Sequence, residues 1–269
     1  MTERHLLASH RPVILGAAYL AALLAVDRHA TYPQQLGLGM LTWLVLIGAL
    51  LRVPTERRVQ ALGVVAFATV GEVTGSLLWG VYHYRLHNLP LFVPPAHGLV
   101  FLTGLALAAA VRSHARALVF AAAALAASWA LLGLTVLPSR DVAGALGVPL
   151  LLLFLWRGTN RVVYAGVFLV VGALELYGTA IGTWRWAPEL PGLGIPDGNP
   201  PSGVASGYVW FDVMALVAGP YLLGAAGLLA RRRASRKGEL EAVRAVNGPS
   251  RPAHGAANLR PRARVSAPS

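Results

Sequence analysis

Apolar residues in this chain gather into long runs separated by short polar segments, and the runs approach the length that crosses a bilayer. Eight can be read: Pro12 to Val26, Leu36 to Leu51, Val59 to Val81, His97 to Val111, Ala117 to Leu137, Val142 to Trp156, Val162 to Thr183, and Tyr208 to Ala230. Several fall short of the usual twenty residues, so their ends are soft by a few positions. The polar segments alternate in character. Those with Arg52, Arg57 and Arg58, with Arg112 to Arg116, and with Arg157 to Arg161 are short and basic. Tyr82 to Ala96 and Trp184 to Gly207 are long and rich in Pro, Gly and aromatic residues. The pattern predicts an all-α polytopic membrane protein with eight transmembrane helices in residues 1–230.

Composition sharpens this. The chain is 56% hydrophobic and 13% charged, with a mean hydropathy of +0.58. An average soluble domain carries about 25% charged residues. The net charge of +12 invites a nucleic-acid reading, but its placement opposes one. Four loops hold one basic residue each: Arg28, Arg85, Arg140 and Arg185. All other Lys and Arg lie in the N-terminal segment, the alternate loops and the tail. Such alternation is an orientation signal, and it predicts both termini in the cytoplasm. No cleaved signal peptide is read at the N-terminus. The absence of cysteine excludes disulfides and thiolate chemistry. Residues 231–269, rich in Ala, Arg, Pro and Ser, read as a disordered basic tail. Arg231, Arg232, Arg233, Arg236 and Lys237 could hold anionic lipid heads.

Two stretches echo one another. Glu72-Val73-Thr74-Gly75 leads to Gly80, Tyr82 and Tyr84, and Glu175-Leu176-Tyr177-Gly178 leads to Gly182, Trp184 and Trp186. The aromatic pairs align after a slip of one residue. Both stretches then reach a proline pair, Pro94-Pro95 and Pro200-Pro201. The echo predicts an internal duplication of four helices plus four, residues 1–111 and 112–230, in parallel orientation. Parallel repeats of this kind tend to place a site between the halves.

The two glutamates are the strongest candidates for chemistry. Glu72 lies roughly 20 Å from the cytoplasmic face at about 1.5 Å per residue, and Glu175 lies at nearly the same depth. An ionised carboxylate there costs at least about 2.5 kcal/mol. A neutral carboxylic acid in a dry site can instead donate a proton. A plain helix-to-helix hydrogen bond is the structural alternative for either acid alone. Asp212, a turn or so inside the eighth run, could share the same cavity. Trp79, Tyr82, Tyr84, Trp184 and Trp186 read as interfacial anchors or as an aromatic wall able to stabilise a cation. Gly75 and Gly178 allow close helix approach or room for a ligand. His83, His87 and His97 lie near one another in sequence, but Asn88-Leu89-Pro90 breaks any helix between them. No nearby acid completes a ligand shell, so no metal is expected. Asp197-Gly198-Asn199-Pro200-Pro201 reads as a turn. Phosphate-binding glycine loops, dinucleotide fingerprints, nucleophile elbows and aspartate-rich magnesium motifs are missing, and no cofactor is expected.

Glu72, Gly75, Trp79-Gly80-Val81-Tyr82-His83-Tyr84 and Val93-Pro94-Pro95 together resemble the carotenoid-biosynthesis membrane proteins that include the bacterioruberin-type hydratases. Trp184-Arg185-Trp186 and Gly194-Ile195-Pro196 with Asn199 resemble that family's second half. Trp79 stands where the family has Phe, and His97-Gly98 stands where a tryptophan would follow the Val-Pro segment. The resemblance implies water addition across the terminal double bond of a long polyene, without a redox cofactor. Small membrane terpene cyclases offer related acid chemistry. A proton-coupled transporter using Glu72 and Glu175, or a non-catalytic scaffold, are the alternatives. The expected partners are a lipophilic isoprenoid substrate and membrane lipids.

Overall fold

Thr31 caps a helix that begins four residues before its apolar run, because Pro33 and the Gln34 side chain suit a first turn; the Thr31 N–H donates to Gln34 Oε1 at 2.8 Å. The same effect recurs at Val93, where Pro94 and Pro95 occupy the first turn of a helix rather than the end of a loop. In the computed structural model, residues 10–204, 206–221 and 224 are described. The basic tail and the N-terminal nine residues lie outside them.

Among the described residues eight α-helical stretches follow in order. They are α1 (Arg11–Asp27), α2 (Tyr32–Leu50), α3 (Thr55–Glu72), α4 (Val93–Ala110), α5 (Ala115–Thr135), α6 (Val142–Arg157), α7 (Arg161–Ile181) and α8 (206–221). α3 continues as a π-helical segment, Val73–Trp79. Five of the helices are long and apolar enough to cross a membrane: α2, α3 with its π segment, α4, α5 with the turn before it, and α7. Large apolar side chains cover much of the outside, among them Leu15, Leu44, Leu78 and Phe120.

α4 sits at the centre and touches α1, α2, α3 and α7. Its crossing with α7 is close because both helices present glycine there. A methyl group at Gly104 would meet the Val167 backbone, and one at Gly166 would lie 2.5 Å from the Gly104 carbonyl oxygen. Small residues at a helix crossing let backbones approach and gain dispersion contact where hydrocarbon provides no hydrophobic drive. α8 lies against α3, with Gly63 facing Ala215 and Gly71 facing the Phe211 ring.

Four short strands depart from the all-helical expectation. β1 (Tyr82–Tyr84) pairs antiparallel with β2 (Trp184–Trp186), and β3 (Glu189–Leu190) pairs with β4 (Ile195–Pro196). Each echoed stretch ends its helical segment at a left-handed glycine, Gly80 at φ 76° and Gly182 at φ 77°. Glycine alone adopts this conformation without strain, and it turns the chain into the strand that follows.

The four segments with a single arginine each meet at one end of the bundle. Arg85 donates to the carbonyls of Asp27 and Ala30, and its backbone N–H donates to Thr183. Asp141 accepts from the N–H groups of Gly144, Gly198 and Ser202. That carboxylate fixes the long loop before α8 onto the start of α6. Asp27, Gln35 and Asn88 form a further buried chain there, with Gln35 donating to Asp27 and Asn88 donating to Gln35, both at 2.8 Å.

Candidate active site

The π segment after Glu72 carries one more residue per turn than an α-helix, and this is the slip seen between the two echoed stretches. Tyr82 follows Glu72 by ten positions and Trp184 follows Glu175 by nine, yet each aromatic folds back onto its own glutamate. Tyr82 and Tyr84 hydroxyls both donate to Glu72 Oε2 at 2.7 Å. Trp184 and Trp186 indole N–H groups both donate to Glu175 Oε2, at 2.9 and 3.3 Å. The strand register brings equivalent positions together, with Tyr82 opposite Trp186, His83 opposite Arg185 and Tyr84 opposite Trp184. The ladder therefore has a local two-fold relation centred on His83 and Arg185.

The glycines one turn after each acid explain how the rings fit. A methyl group at Gly75 would meet the Tyr82 ring at 3.0 Å, and one at Gly178 would meet the Trp184 ring at 2.1 Å. Gly75 and Gly178 thus make room for the aromatic donors. Neither is among the residues that line the cavity; of the two readings, close approach or room for a ligand, the contacts seen are those of close packing.

That cavity holds about 280 Å³ and is mostly apolar. Glu72, Glu175, Tyr82, Tyr84, Trp184 and Trp186 all line it, together with leucines of α1 and residues of α4 and α8. Six candidates spread over more than a hundred residues of sequence share one space. Two other candidates do not join them. Trp79 is 46% exposed and donates to the Pro191 carbonyl at 3.0 Å, so it ties the end of the π segment to the loop before α8. Asp212 is buried, with Oδ2 unpartnered, but it is not among the residues that line the cavity, as Phe211 and Tyr208 are.

Two members were not foreseen as parts of the site. His97 was grouped with His83 and His87, but those two are exposed on β1 and its turn while His97 is buried in α4. Its Nε2 lies 3.3 Å from Glu72 Oε1, at an angle short of a well-formed hydrogen bond. Its Nδ1 lies 2.9 Å from the Val93 carbonyl, which can only accept, so Nδ1 carries a hydrogen. Tyr208 stacks on the His97 ring at 4.9 Å and donates to Glu175 Oε1 at 3.4 Å. The signal for His97 was its place one turn after the proline pair, which starts α4 and aims that position inward.

The donors define what each acid can do. Burial, and then the neighbouring Glu72, pushes the Tyr82 and Tyr84 phenols well above their usual range, so both stay protonated. Glu72 Oε2 is taken by two hydroxyl donors, and a proton on this residue belongs on Oε1, facing His97. Among the described residues no cluster of three or more His, Asp or Glu has a geometry that could hold a metal ion.

Comparison of the chain with protein-family models, with curated proteins and with solved structures returns no match.

Proposed function

We propose that this chain is an eight-span membrane enzyme that protonates a carbon–carbon double bond of a long isoprenoid. In this reading both termini face the cytoplasm and the halves 1–111 and 112–230 are repeats. The observation that carries the reading is the placement of two buried acids on one apolar cavity with an aromatic wall. The local two-fold relation of the β1–β2 ladder supports the duplication, and the meeting of the four arginine-poor loops at one end supports the orientation. The motif resemblance to carotenoid hydratases supports the substrate class. A cavity of about 280 Å³ sits at the small end of ligand sites, so it takes the end of a long chain while the remainder lies along the helices.

The chemistry follows from the donors. Glu72 is the general acid, and its proton leaves from the Oε1 side, where His97 shares it. The proton adds to the less substituted alkene carbon, and a tertiary cation forms at the other. Trp184, Trp186, Tyr82 and Tyr84 stabilise that cation through their rings, at about 0.5–2 kcal/mol each. Glu175 faces only donors, which suits a carboxylate, and it orients water and takes the proton that the adduct loses. Tyr208, between Glu175 and His97, lies on the route that returns this proton to the pair. Alkene and water give a tertiary alcohol, with no redox step. Without water the same cation closes on an internal alkene and loses a proton to give a ring.

Lipid extracts from cells with and without the protein, resolved by mass, test the reading. Hydration adds the mass of one water to an isoprenoid, and cyclisation changes retention without changing mass. Extracts identical in every isoprenoid would overturn it.

A further inference from the structure

The two carboxyl groups on the cavity differ in how their charge is met. Glu72 has His97. With Nδ1 of His97 bonded to Val93, a single further proton between Nε2 and Glu72 Oε1 makes that pair neutral wherever it rests. Glu175 has three neutral donors, the N–H groups of Trp184 and Trp186 and the hydroxyl of Tyr208. Indole N–H groups donate hydrogen bonds but accept none, so they hold a carboxylate in place without neutralising it. No Lys or Arg among the described residues lines the cavity. A buried carboxylate without a counter-charge is costly, and an incoming cation offsets that cost.

The walls say what kind of cation fits. Indole and phenol rings attract alkylated ammonium groups through their quadrupoles. Leu20, Leu24, Val100 and Leu174 extend the lining in hydrocarbon. A bare metal ion finds no ligand cluster among the described residues.

We propose that the cavity binds long-chain tertiary alkylammonium ions, with the nitrogen held beside Glu175 and the aromatic rings and the alkyl chain along the apolar wall. The proposal rests on the reading of the site as one that stabilises a tertiary carbocation, because a protonated trialkylamine is the stable ion of the same charge and similar shape. It names a ligand class that can be tried before any substrate is identified.

The test is saturable binding of radiolabelled N,N-dimethyldodecylamine to the purified full chain in nanodiscs, with empty nanodiscs subtracted. One site per chain is expected, and dodecanol of equal chain length does not compete. Glu175→Gln weakens binding about tenfold or more, as loss of one partner of a buried charge pair does. Glu175→Asp keeps the charge and retains most of the affinity, which separates lost charge from a disturbed fold. Absence of saturable binding, equal competition by dodecanol, or equal affinity in the Gln and wild-type proteins overturns the proposal. Binding of the amine by a protein whose cells show unchanged isoprenoids upholds the cation site and removes the alkene-protonating reading. New isoprenoid product without amine binding does the reverse.

Discussion

Tyr82 lies opposite Trp186 across the β1–β2 ladder with ring centroids 4.5 Å apart, yet the two donate to different acids, Tyr82 to Glu72 and Trp186 to Glu175. The ladder therefore couples the two carboxyl groups mechanically. One phenol–indole contact sets the distance between a donor of the first acid and a donor of the second. The two donor sets also divide the labour. Hydroxyls and an imidazole surround Glu72 and can pass a proton, whereas indoles dominate around Glu175 and cannot.

Removing one phenol from Glu72 tests what its hydroxyl donors contribute. Tyr84→Phe keeps the ring but leaves the carboxylate one donor short, and a hydrogen bond to a charged group contributes about 1.5–3 kcal/mol. Thermal unfolding in detergent is expected to show a loss of that order. In a double-mutant cycle with Glu72→Ala, which removes the acceptor, the two losses should fail to add, since they remove one interaction. Additive losses would mean that Tyr84 acts elsewhere.

Gly178 should tolerate no side chain. A methyl group there meets the Trp184 ring at 2.1 Å, so Gly178→Ala displaces the indole from Glu175. Overpacking of this kind costs about 1–3 kcal/mol. Product formation should fall while Gly37→Ala, in open space away from the cavity, leaves it unchanged. Equal activity in both variants would show that the Trp184–Glu175 bond is dispensable.

The loop before α8 carries a pH signature of its own. Asp197 is 3% exposed, and burial first, then the neighbouring Asp141, pushes its carboxyl up to about 7 from 3.8. The folded state then keeps a proton that the unfolded chain has lost. Its contribution to stability is complete below pH about 4 and declines as pH rises through about 7. Melting temperatures measured from pH 4 to 8 should fall in the wild type, and Asp197→Asn should flatten that trend. An unchanged slope in the variant would place the titration elsewhere.

Much of the architecture was legible in the sequence because membrane helices announce themselves by length and apolarity alone. The helix starts were misplaced where polar or proline residues form the first turn, as at Thr31, Thr55 and Val93. Apolar runs mark hydrocarbon, and backbone geometry begins earlier. The two acids and their aromatic partners were legible from the echoed Glu-x-x-Gly pattern. Of the two readings of Trp79, interfacial anchor or aromatic wall, its exposed place at the end of the π segment and off the cavity favours the first. His97 was passed over because sequence proximity tied it to His83 and His87. The proline pair between them sends the chain into α4 and separates the ring from both. Asp141 gave no local hint, since its three donors come from residues near in sequence on one side and about sixty positions away on the other.

Product formation by Glu72→Gln is the most direct test of the central claim. Glutamine keeps the size and the acceptor for Tyr82 and Tyr84 but has no proton to give. The variant, confirmed as inserted and folded by its melting temperature, is compared with wild type by mass analysis of isoprenoid extracts. A fall of about 10²-fold or more in product is expected from loss of general acid catalysis. Near-normal product from a folded Glu72→Gln protein would contradict the account, because the proton would then come from elsewhere.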